Sequence, residues 1–204
     1  TTLAAMINHR NENMAGHILS IEDPVEFSHP NIKSIVNQRE VGVDTLSYRN
    51  ELRSSLREAP DVILIGEIRD RETMEAALEL SNTGHLALST LHANNANQAM
   101  ERIINLLPQG LHKQLFMDMS LNIRAVISQR LVTGVDGKRC AAIEIMVATP
   151  HVSELILKGD IDDVGQIVTG AGRFPASIAH YLQRRLAPRA HADVVADQCQ
   201  VAPT

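Results

Sequence analysis

Residues 56–70 read LREAPDVILIGEIRD, and this stretch decides the fold class. Its centre, Val62–Ile65, is an uninterrupted apolar run with β-branched residues, which is typical of a strand buried on both faces of a parallel sheet. Pro60 ends the helix predicted before this strand. Asp70 can cap the helix predicted after it, because an aspartate oxygen accepts hydrogen bonds from the free N–H groups of a helix start. A helix, a buried strand and a second helix in succession predict an α/β architecture.

The same alternation of short apolar runs and amphipathic segments continues in both directions along the chain. It predicts a largely parallel sheet with helices on its faces, because crossover connections between parallel strands place helices there. The predicted strands are His17–Glu22, Lys33–Gln38, Val62–Ile65, Leu86–Ser89 and Ala141–Val147. The predicted helices are Thr1–Asn11, Tyr48–Glu58, Arg71–Ser81, Asn97–Leu106, Gly110–Gln129 and Pro150–Lys158.

Composition argues against several classes of protein. The chain has 204 residues, 44% of them hydrophobic and 21% charged, which is ordinary for a globular protein with a real core. Its net charge of -5 and its lack of Trp argue against a nucleic-acid-binding protein, which relies on cationic surfaces and stacking aromatics. No apolar run approaches the roughly 18 to 20 residues that cross a bilayer. The two cysteines, Cys140 and Cys199, are too few for a disulfide framework, so a cytoplasmic location is expected.

The character of the sequence changes after about Val164. Residues 165–204 are rich in Ala, Gly, Pro and Arg, and only Ile178–Leu186 suggests a helix there. We therefore predict one domain over residues 1–164 and a poorly packed tail over residues 165–204. The chain opens at Thr1 inside a helical pattern that has no cap, which we interpret as the sign of a cut from a longer polypeptide.

Acidic residues and a histidine follow three of the predicted strands. Glu22, Asp23 and Glu26 follow the first strand, Glu67 follows Val62–Ile65 after one glycine, and His92 follows the strand that ends at Ser89. Ligands of parallel α/β sheets bind outside the carboxyl ends of the strands, so neighbouring strands would bring these groups to one crevice. Each residue also has a structural explanation. An acid after a strand commonly caps the next helix, acids before a proline form turns, and a lone histidine is commonly a hydrogen-bonded structural residue.

The joint placement of these acids favours a functional interpretation. An apolar strand that ends in an acid has the form of a Walker B element, in which the carboxylate meets the Mg²⁺–water shell or polarises the attacking water. Clustered carboxylates suit Mg²⁺ better than zinc. Arg53 and Arg57 lie four residues apart on a predicted helix, a spacing that also fits a solvated helix face.

Three longer stretches resemble one known family, the PilT/PilU retraction ATPases of type IV pili within the wider secretion ATPases. Ile21–Phe27 (IEDPVEF) resembles the family's Asp box, Leu56–Asp70 resembles its Walker B region, and Gly84–Ala96 (GHLALSTLHANNA) resembles its His box. Asn122–Val132 (NIRAVISQRLV) is similar to the helix and strand that follow in these motors. The sequence HANNANQAMERIIN favours the PilU branch. The resemblance implies a RecA-like P-loop NTPase core that is incomplete at its N-terminus.

The resemblance implies a role for each candidate residue. Glu67 would be the Walker B glutamate that arranges Mg²⁺ and the attacking water, and Glu26 would orient or deprotonate that water and share the metal. His92 would sense the γ-phosphate of ATP or link it to the neighbouring subunit. The remaining residues implied at the nucleotide are Glu22 and Asp23 of the Asp box, His85 in support of His92, and Arg53 and Arg57 near the nucleotide crevice or a subunit interface.

The resemblance also implies a working unit and its partners. The subunit would act in a homohexameric ring, alone or with a paralogous retraction ATPase, and would meet a platform protein of the inner membrane. The ATP cycle would move domains against each other and withdraw pilin subunits. The expected location is the cytoplasm, peripheral to the inner membrane.

Two departures from the family pattern shape these expectations. The phosphate loop GxxxxGK[ST] does not occur in the 204 residues, and the opening TTLAAMI resembles the segment that directly follows it. That loop supplies the backbone N–H cradle, the lysine and the hydroxyl ligand of Mg²⁺, so we expect these residues alone to be an inactive ATPase. Residues after Val164 do not resemble the family's C-terminal helices, which a frameshift or a truncated reading of the gene would explain.

Three functional readings follow. The first is the catalytic half of a pilus-retraction motor subunit. The alternative is a non-catalytic α/β interaction module that joins or poisons a motor ring, and the reading frame upstream of Thr1 discriminates between these two. The third is a metal hydrolase built on Glu22, Glu26, Glu67 and His92, although the close histidine spacing of HExxH is absent from the sequence.

Overall fold

A computed structural model of the chain describes residues 2–133 and 139–170. The chain divides into two compact units, with the boundary between Leu91 and His92. The assignment of residues 1–164 to one ATPase domain stays a prediction.

The first unit is a parallel sheet with three helices. Four strands, β1 (Gly16–Glu22), β2 (Ser34–Glu40), β3 (Val62–Ile65) and β4 (Leu86–Ser89), pair in the order β2-β1-β3-β4, and every pair is parallel. The helices are α1 (Thr2–Asn13), α2 (Tyr48–Glu58) and α3 (Arg71–Asn82). Because each connection returns the chain to the same end of the sheet, the carboxyl ends of all four strands lie along one edge.

The core of this unit follows from the period of two in its central strands. Ile18, Val62 and Leu64 form a buried cluster with Ile7 of α1 on one face of the sheet. The alternate residues of β1 and β3 point to the opposite face, and they are fully buried as well: Leu19, Ile21, Ile63 and Ile65. The prediction of a strand buried on both faces is therefore confirmed for β3.

Local sequence sets the starts of α2 and α3. The Ser47 side chain accepts a hydrogen bond from the Asn50 N–H, and the Asp70 side chain accepts one from the Thr73 N–H at 2.8 Å. The Thr73 hydroxyl lies 3.4 Å from the Asp70 N–H and completes a capping box. The Thr73 N–H holds the pKa of the Asp70 carboxyl below its ordinary value, because this bond favours the charged form.

The second unit combines helices with an antiparallel pair of strands. Its helices are α4 (Ala96–Leu106), α5 (His112–Asn122), α6 (Pro150–Lys158) and α7 (Ile161–Gly170), and a short 3₁₀ turn, Gln109–Leu111, precedes α5. Strands β5 (Ala125–Thr133) and β6 (Arg139–Val147) pair antiparallel. α5 packs on α6, and α4 packs on α7.

The predicted helix Gly110–Gln129 is wrong in its second half. Helix α5 ends at Asn122, because Ile123 takes an extended conformation with φ -60° and ψ 130°. The residues that follow are rich in β-branched side chains and find a partner in β6, so strand pairing replaces the helix. Leu115 and Met119 are buried as predicted, whereas Val126, also predicted to face inward from a helix, belongs to β5.

Two other expectations differ from the structure. The apolar run of β4 predicts a buried strand, but the Leu86 side chain is 45% exposed, because β4 is an outer strand of the four-stranded sheet. Helix α7 continues beyond Val164 to Gly170, so the predicted tail begins within a helix. The rest of that tail, with the helix predicted at Ile178–Leu186, lies outside the described residues. Among the described helices, none has both the length and the apolar character that crossing a membrane requires.

Candidate functional site at the carboxyl edge of the sheet

The carboxyl ends of β1, β3 and β4 are fastened together by hydrogen bonds. The Gly66 N–H donates to the Ile21 carbonyl at 2.8 Å, and the Ile68 N–H donates to the Thr90 carbonyl at 3.0 Å. The Thr90 hydroxyl donates to the Gly66 carbonyl at 2.6 Å. The segments that follow these three strands therefore begin side by side, as the sequence predicts.

Arg69 joins acids from two strand ends. Its Nε donates to Glu67 Oε2 at 2.7 Å, and its Nη1 donates to Asp23 Oδ2 at 3.2 Å. The Glu67 side chain is only 17% exposed, whereas Asp23 is 43% and Arg69 52% exposed. The hydrogen bond that Arg69 donates to Glu67 raises the pKa of Arg69, so the guanidinium stays charged. Asp23 and Glu67 thus lie on one surface, which we call the acidic edge (Asp23, Glu67 and Arg69).

Glu22 is satisfied within the sheet. Its Oε1 accepts hydrogen bonds from the Ser20 hydroxyl at 2.8 Å and from Gln38 Nε2 at 3.1 Å. Ser20 precedes it by two residues on β1, and Gln38 lies on the neighbouring β2, so the carboxylate lies against the sheet. This geometry favours a structural contribution from Glu22 at the end of β1.

The loop that carries Glu26 is anchored from β2. Gln38 Nε2 donates to the Phe27 carbonyl at 2.8 Å, and Gln38 Oε1 accepts from the His29 N–H at 2.8 Å. Glu40 Oε2 accepts from the Val25 N–H at 3.0 Å. Glu26 itself is exposed on this loop. The loop is held on both sides of Glu26 while its carboxylate faces solvent.

Tyr48, at the start of α2, lies close to the acidic edge and was not among the residues predicted from the sequence. A Cβ at position 66 would lie 3.3 Å from the Tyr48 hydroxyl and 3.3 Å from the Ile21 carbonyl, so glycine permits this close approach. Burial raises the pKa of the Tyr48 phenol above its ordinary value, and the neighbouring carboxylate of Asp23 raises it further. Glu67 and Glu22 act in the same direction, while Arg69 opposes them.

Titration of Tyr48 tests this arrangement without any activity assay. The chain has two tyrosines and no tryptophan, so the tyrosinate absorbance lost in Tyr48→Phe isolates this group. We expect it to ionise above pH 10.0, its ordinary value, and Asp23→Asn to lower that pKa, because a repelling carboxylate is removed. Arg69→Gln should raise it. Because the pKa of Tyr48 is higher in the folded state than in the unfolded state, ionisation of this phenol lowers the free energy of unfolding. The contribution of protonated Tyr48 to stability is therefore present below pH 10.0 and is lost as the pH rises through the folded-state pKa.

A Glu75→Gln variant is the control for this titration. Glu75 pairs with Arg71 on α3 and is not among the groups that act on Tyr48. A Tyr48 pKa that stays the same in Asp23→Asn and in Arg69→Gln would contradict the arrangement.

His85 lies at the other edge of the sheet. It directly precedes β4, and its Nδ1 lies 2.9 Å from the Thr83 hydroxyl. Glu67 follows the carboxyl end of the neighbouring β3, so the length of β4, roughly 13 Å at 3.3 Å per residue, separates the two levels of the sheet. The structure therefore does not bring His85 to the acidic edge of this unit.

Of the two arginines of α2 that were predicted at the nucleotide, Arg57 does not lie at the acidic edge. Arg57 is exposed in the last turn of α2, while Tyr48 begins that helix. Nine residues of helix separate them, which corresponds to about 13 Å along the axis. The side chain of Arg53 lies outside the described part of the structure. The nucleotide or interface role of both arginines stays a prediction.

His92 is the first residue of the second unit, and it is exposed. Its backbone carbonyl accepts a hydrogen bond from Arg102 Nη1 of α4 at 3.1 Å. Its predicted role at the γ-phosphate is not tested by this geometry.

The donor set of the acidic edge fits a magnesium ion in its chemistry. Asp23 and Glu67 offer carboxylate oxygens, and Mg²⁺ in nucleotide sites takes one or two carboxylates together with phosphate oxygens and water. No group of three or more His, Cys, Asp or Glu side chains within residues 2–133 and 139–170 is arranged to hold a metal ion. That finding gives no support to the reading as a metal hydrolase, which needs a complete protein ligand set.

Comparison with known proteins identifies the family. The family model described as "Type II/IV secretion system protein" matches residues 1–186. The chain belongs to this family. The match extends beyond Val164, so the family pattern continues into the segment that we predicted to be divergent.

Two curated relatives come from Pseudomonas aeruginosa. The type IV pilus ATPase PilU is 54% identical over 80% of this chain and 43% of its own length. The type IV pilus retraction ATPase PilT is 42% identical over 84% of this chain and 50% of its own length. The higher identity to PilU agrees with the predicted leaning towards that branch. The chain spans about half the length of the curated relatives that it matches.

A solved structure confirms the fold. The crystal structure of the pilus retraction motor PilT with bound ADP matches with a TM-score of 0.78 and 36% identity, over 93% of this chain and 58% of that one. The predicted RecA-like P-loop fold, with a parallel sheet flanked by helices, is thereby confirmed for this member of the family.

Proposed function

We propose that this chain is the catalytic half of an ATP-hydrolysing motor subunit that drives retraction of a type IV pilus. The observation that carries the proposal is the acidic edge, where Arg69 joins Glu67 and Asp23 at the carboxyl ends of adjacent parallel strands. This is the edge at which α/β sheets bind ligands. The similarity to PilU and PilT indicates the kind of motor that we propose, because both are named as pilus ATPases.

Glu67 and Arg69 of the acidic edge, together with Glu26 and His92, divide the work of hydrolysis. Glu67, the less exposed acid, orients the attacking water, and Glu26 on its anchored loop accepts the proton of that water. Arg69 holds Glu67 and Asp23 in a fixed relation. His92 donates a hydrogen bond to the γ-phosphate. Hydrolysis then transfers the γ-phosphoryl group to water and leaves ADP and phosphate.

Mg²⁺ is the cofactor that we propose, and Glu67 of the acidic edge and Glu26 on the neighbouring loop would hold it. When bound, the ion neutralises the charge that develops on the phosphate oxygens. Glu22 and Asp23 complete the acidic end of β1, where Asp23 is paired with Arg69.

The working unit that we propose is a homohexamer, with or without a paralogous retraction ATPase in the same ring. Arg53, Arg57 and His85 would serve the neighbouring subunit's side of a nucleotide site, because two of them lie away from the acidic edge of their own unit. The platform protein of the inner membrane would receive the motion. The subunit would act in the cytoplasm, peripheral to that membrane, and would not bind nucleic acid.

The proposal is tested by comparing two polypeptides. The 204 residues contain no GxxxxGK[ST], so on their own they lack the groups that cradle the β- and γ-phosphates. We expect no Mg²⁺-dependent ATP hydrolysis above background from this chain alone and clear hydrolysis from the complete product of its gene. Phosphate release is the measurement.

The alternative function makes the opposite forecast for the complete gene product. A non-catalytic module that joins or poisons a motor ring would release no phosphate in either form, and it would lower the activity of an added retraction ATPase. That result would overturn the proposed motor function.

A further inference from the structure

The segment His92–Ala96 (HANNA), which is the last part of the His box and leads into α4, is held by side chains from three elements. Arg102 Nη1 of α4 donates to the His92 carbonyl at 3.1 Å. Arg130 Nε of β5 donates to the Asn94 carbonyl at 3.2 Å. Glu144 Oε1 of β6 accepts from the Ala96 N–H at 3.0 Å. Three polar backbone groups within five consecutive residues are thus bonded to side chains that lie 10, 36 and 48 residues away along the chain.

The α4 end of the same segment is fixed locally. The Asn95 side chain caps α4 by accepting from the Gln98 N–H at 2.8 Å, and Gln98 Oε1 accepts in turn from the Asn94 N–H at 3.2 Å. These two bonds satisfy the helix start in the ordinary way. The bonds from Arg130 and Arg102 go to carbonyl groups outside the helix, which capping does not require. These two hydrogen bonds hold the backbone on the His92 side of the α4 cap.

Arg130 of β5 and Glu144 of β6 lie on the same face of the two-stranded ladder. In the β5–β6 register Ser128 pairs with Glu144 and Arg130 pairs with Ala142, so Arg130 and Glu144 are diagonal neighbours on the same face. The Glu144 carboxylate also meets the positive end of the α4 dipole, which strengthens its bond to Ala96. A rigid two-stranded ladder therefore holds the segment through one acceptor and one donor.

We propose that Arg130 and Glu144 are positioning residues that hold His92 for its task at the γ-phosphate. The inference rests on the proposed function, since it takes His92 as the group that meets ATP. Neither strand residue need touch the nucleotide. A histidine on a short exposed segment is a less efficient catalytic group when its backbone position varies. Displacement of a catalytic group by about 1 Å lowers the reaction rate in a preorganised site.

Hydrogen–deuterium exchange in the complete gene product tests the contact directly. In Glu144→Ala the peptide that contains Ala96 is expected to exchange at least about threefold faster, since its N–H loses its acceptor. Glu144→Gln keeps a carbonyl oxygen at this position and should restore slow exchange. The matched control is Glu154→Ala, whose carboxylate is exposed and pairs with Lys158 on α6.

Steady-state kinetics tests the consequence. We expect Glu144→Ala and Arg130→Ala each to lower kcat about tenfold and to leave the KM for ATP within about twofold, because positioning acts on the chemical step. Glu144→Gln should retain most of the activity. In a His92→Ala background the further loss from Glu144→Ala should disappear, since there is no longer a side chain to position.

Each outcome decides the matter. Unchanged exchange in Glu144→Ala, or faster exchange with an unchanged kcat, would overturn the positioning role. So would an equal loss of kcat in the His92→Ala background, which would indicate a general structural effect. A wild-type gene product that hydrolyses no ATP would refute the proposed function itself, and it differs from these results because the failure then precedes any substitution.

Discussion

Glu67→Gln in the complete gene product is expected to lower the rate of ATP hydrolysis at least about 100-fold while ATP still binds. The amide keeps the size and the hydrogen-bonding oxygen of the side chain but removes the negative charge that orients water. The loss should therefore fall on kcat. Phosphate release gives the rate, and equilibrium binding of a fluorescent ATP analogue gives the affinity.

Glu75→Gln is the matched control for this substitution. The Glu75→Gln substitution makes the same chemical change as Glu67→Gln, but on helix α3. The partner of Glu75 is the exposed Arg71. Exposed ion pairs of this kind contribute little, so its activity should stay within about twofold of the unsubstituted protein. Equal rates in Glu67→Gln and Glu75→Gln would contradict the role assigned to Glu67.

Ile63→Ala is expected to lower the free energy of unfolding by about 2 to 5 kcal/mol, because it leaves a cavity at the centre of the sheet. Ile63 is completely buried and lies between Leu19 of β1 and Ala87 of β4. The acidic edge depends on this packing, since Glu67 follows Ile65, the last core residue of β3, after one glycine. Urea unfolding followed by circular dichroism measures the change.

Ile35→Ala is the control for the core substitution. Ile35 is the same residue type in the same sheet, on β2, but it is 59% exposed. Its removal takes little apolar surface out of the core, so the expected cost is below about 1 kcal/mol. Comparable costs at the two positions would mean that β3 is not the centre of the core.

Much of this fold is local and could be predicted from the sequence. The starts of α2, α3 and α6 depend on Ser47, Asp70 and Thr149 followed by Pro150, and these signals operate within three residues of the cap. β3 could be predicted for a different reason, since an apolar run of four residues followed by glycine has few alternatives. The local sequence of these helices and of β3 is enough to predict them.

The part of the fold that local sequence predicts wrongly depends on pairing with another strand. Residues 125–129 continue a helical pattern, and they form a strand because β6, 14 to 22 residues further along the chain, pairs with them. Strand pairing overrides local propensity, and a single sequence does not state which segments will pair.

The candidate site shows the same division. The sequence predicted that the acids after β1 and β3 would share an edge, because parallel strands end together. Arg69 was missed, although it stands two residues after Glu67, since its second partner, Asp23, is 46 residues away. Tyr48 was missed because its significance lies in its approach to Gly66. His85 was grouped with His92 by motif, whereas the length of β4 separates it from the strand ends.

The most direct test of the account is to locate the metal–nucleotide site. The complete gene product is loaded with ATP and Fe²⁺ in place of Mg²⁺, since both ions accept carboxylate and phosphate oxygens. Peroxide then cleaves the backbone next to the iron, and mass spectrometry identifies the cuts. The account predicts cuts at residues 22–26 and 66–69. Cuts confined to residues 57–61 and 83–86, at the opposite edge of the sheet, would contradict it.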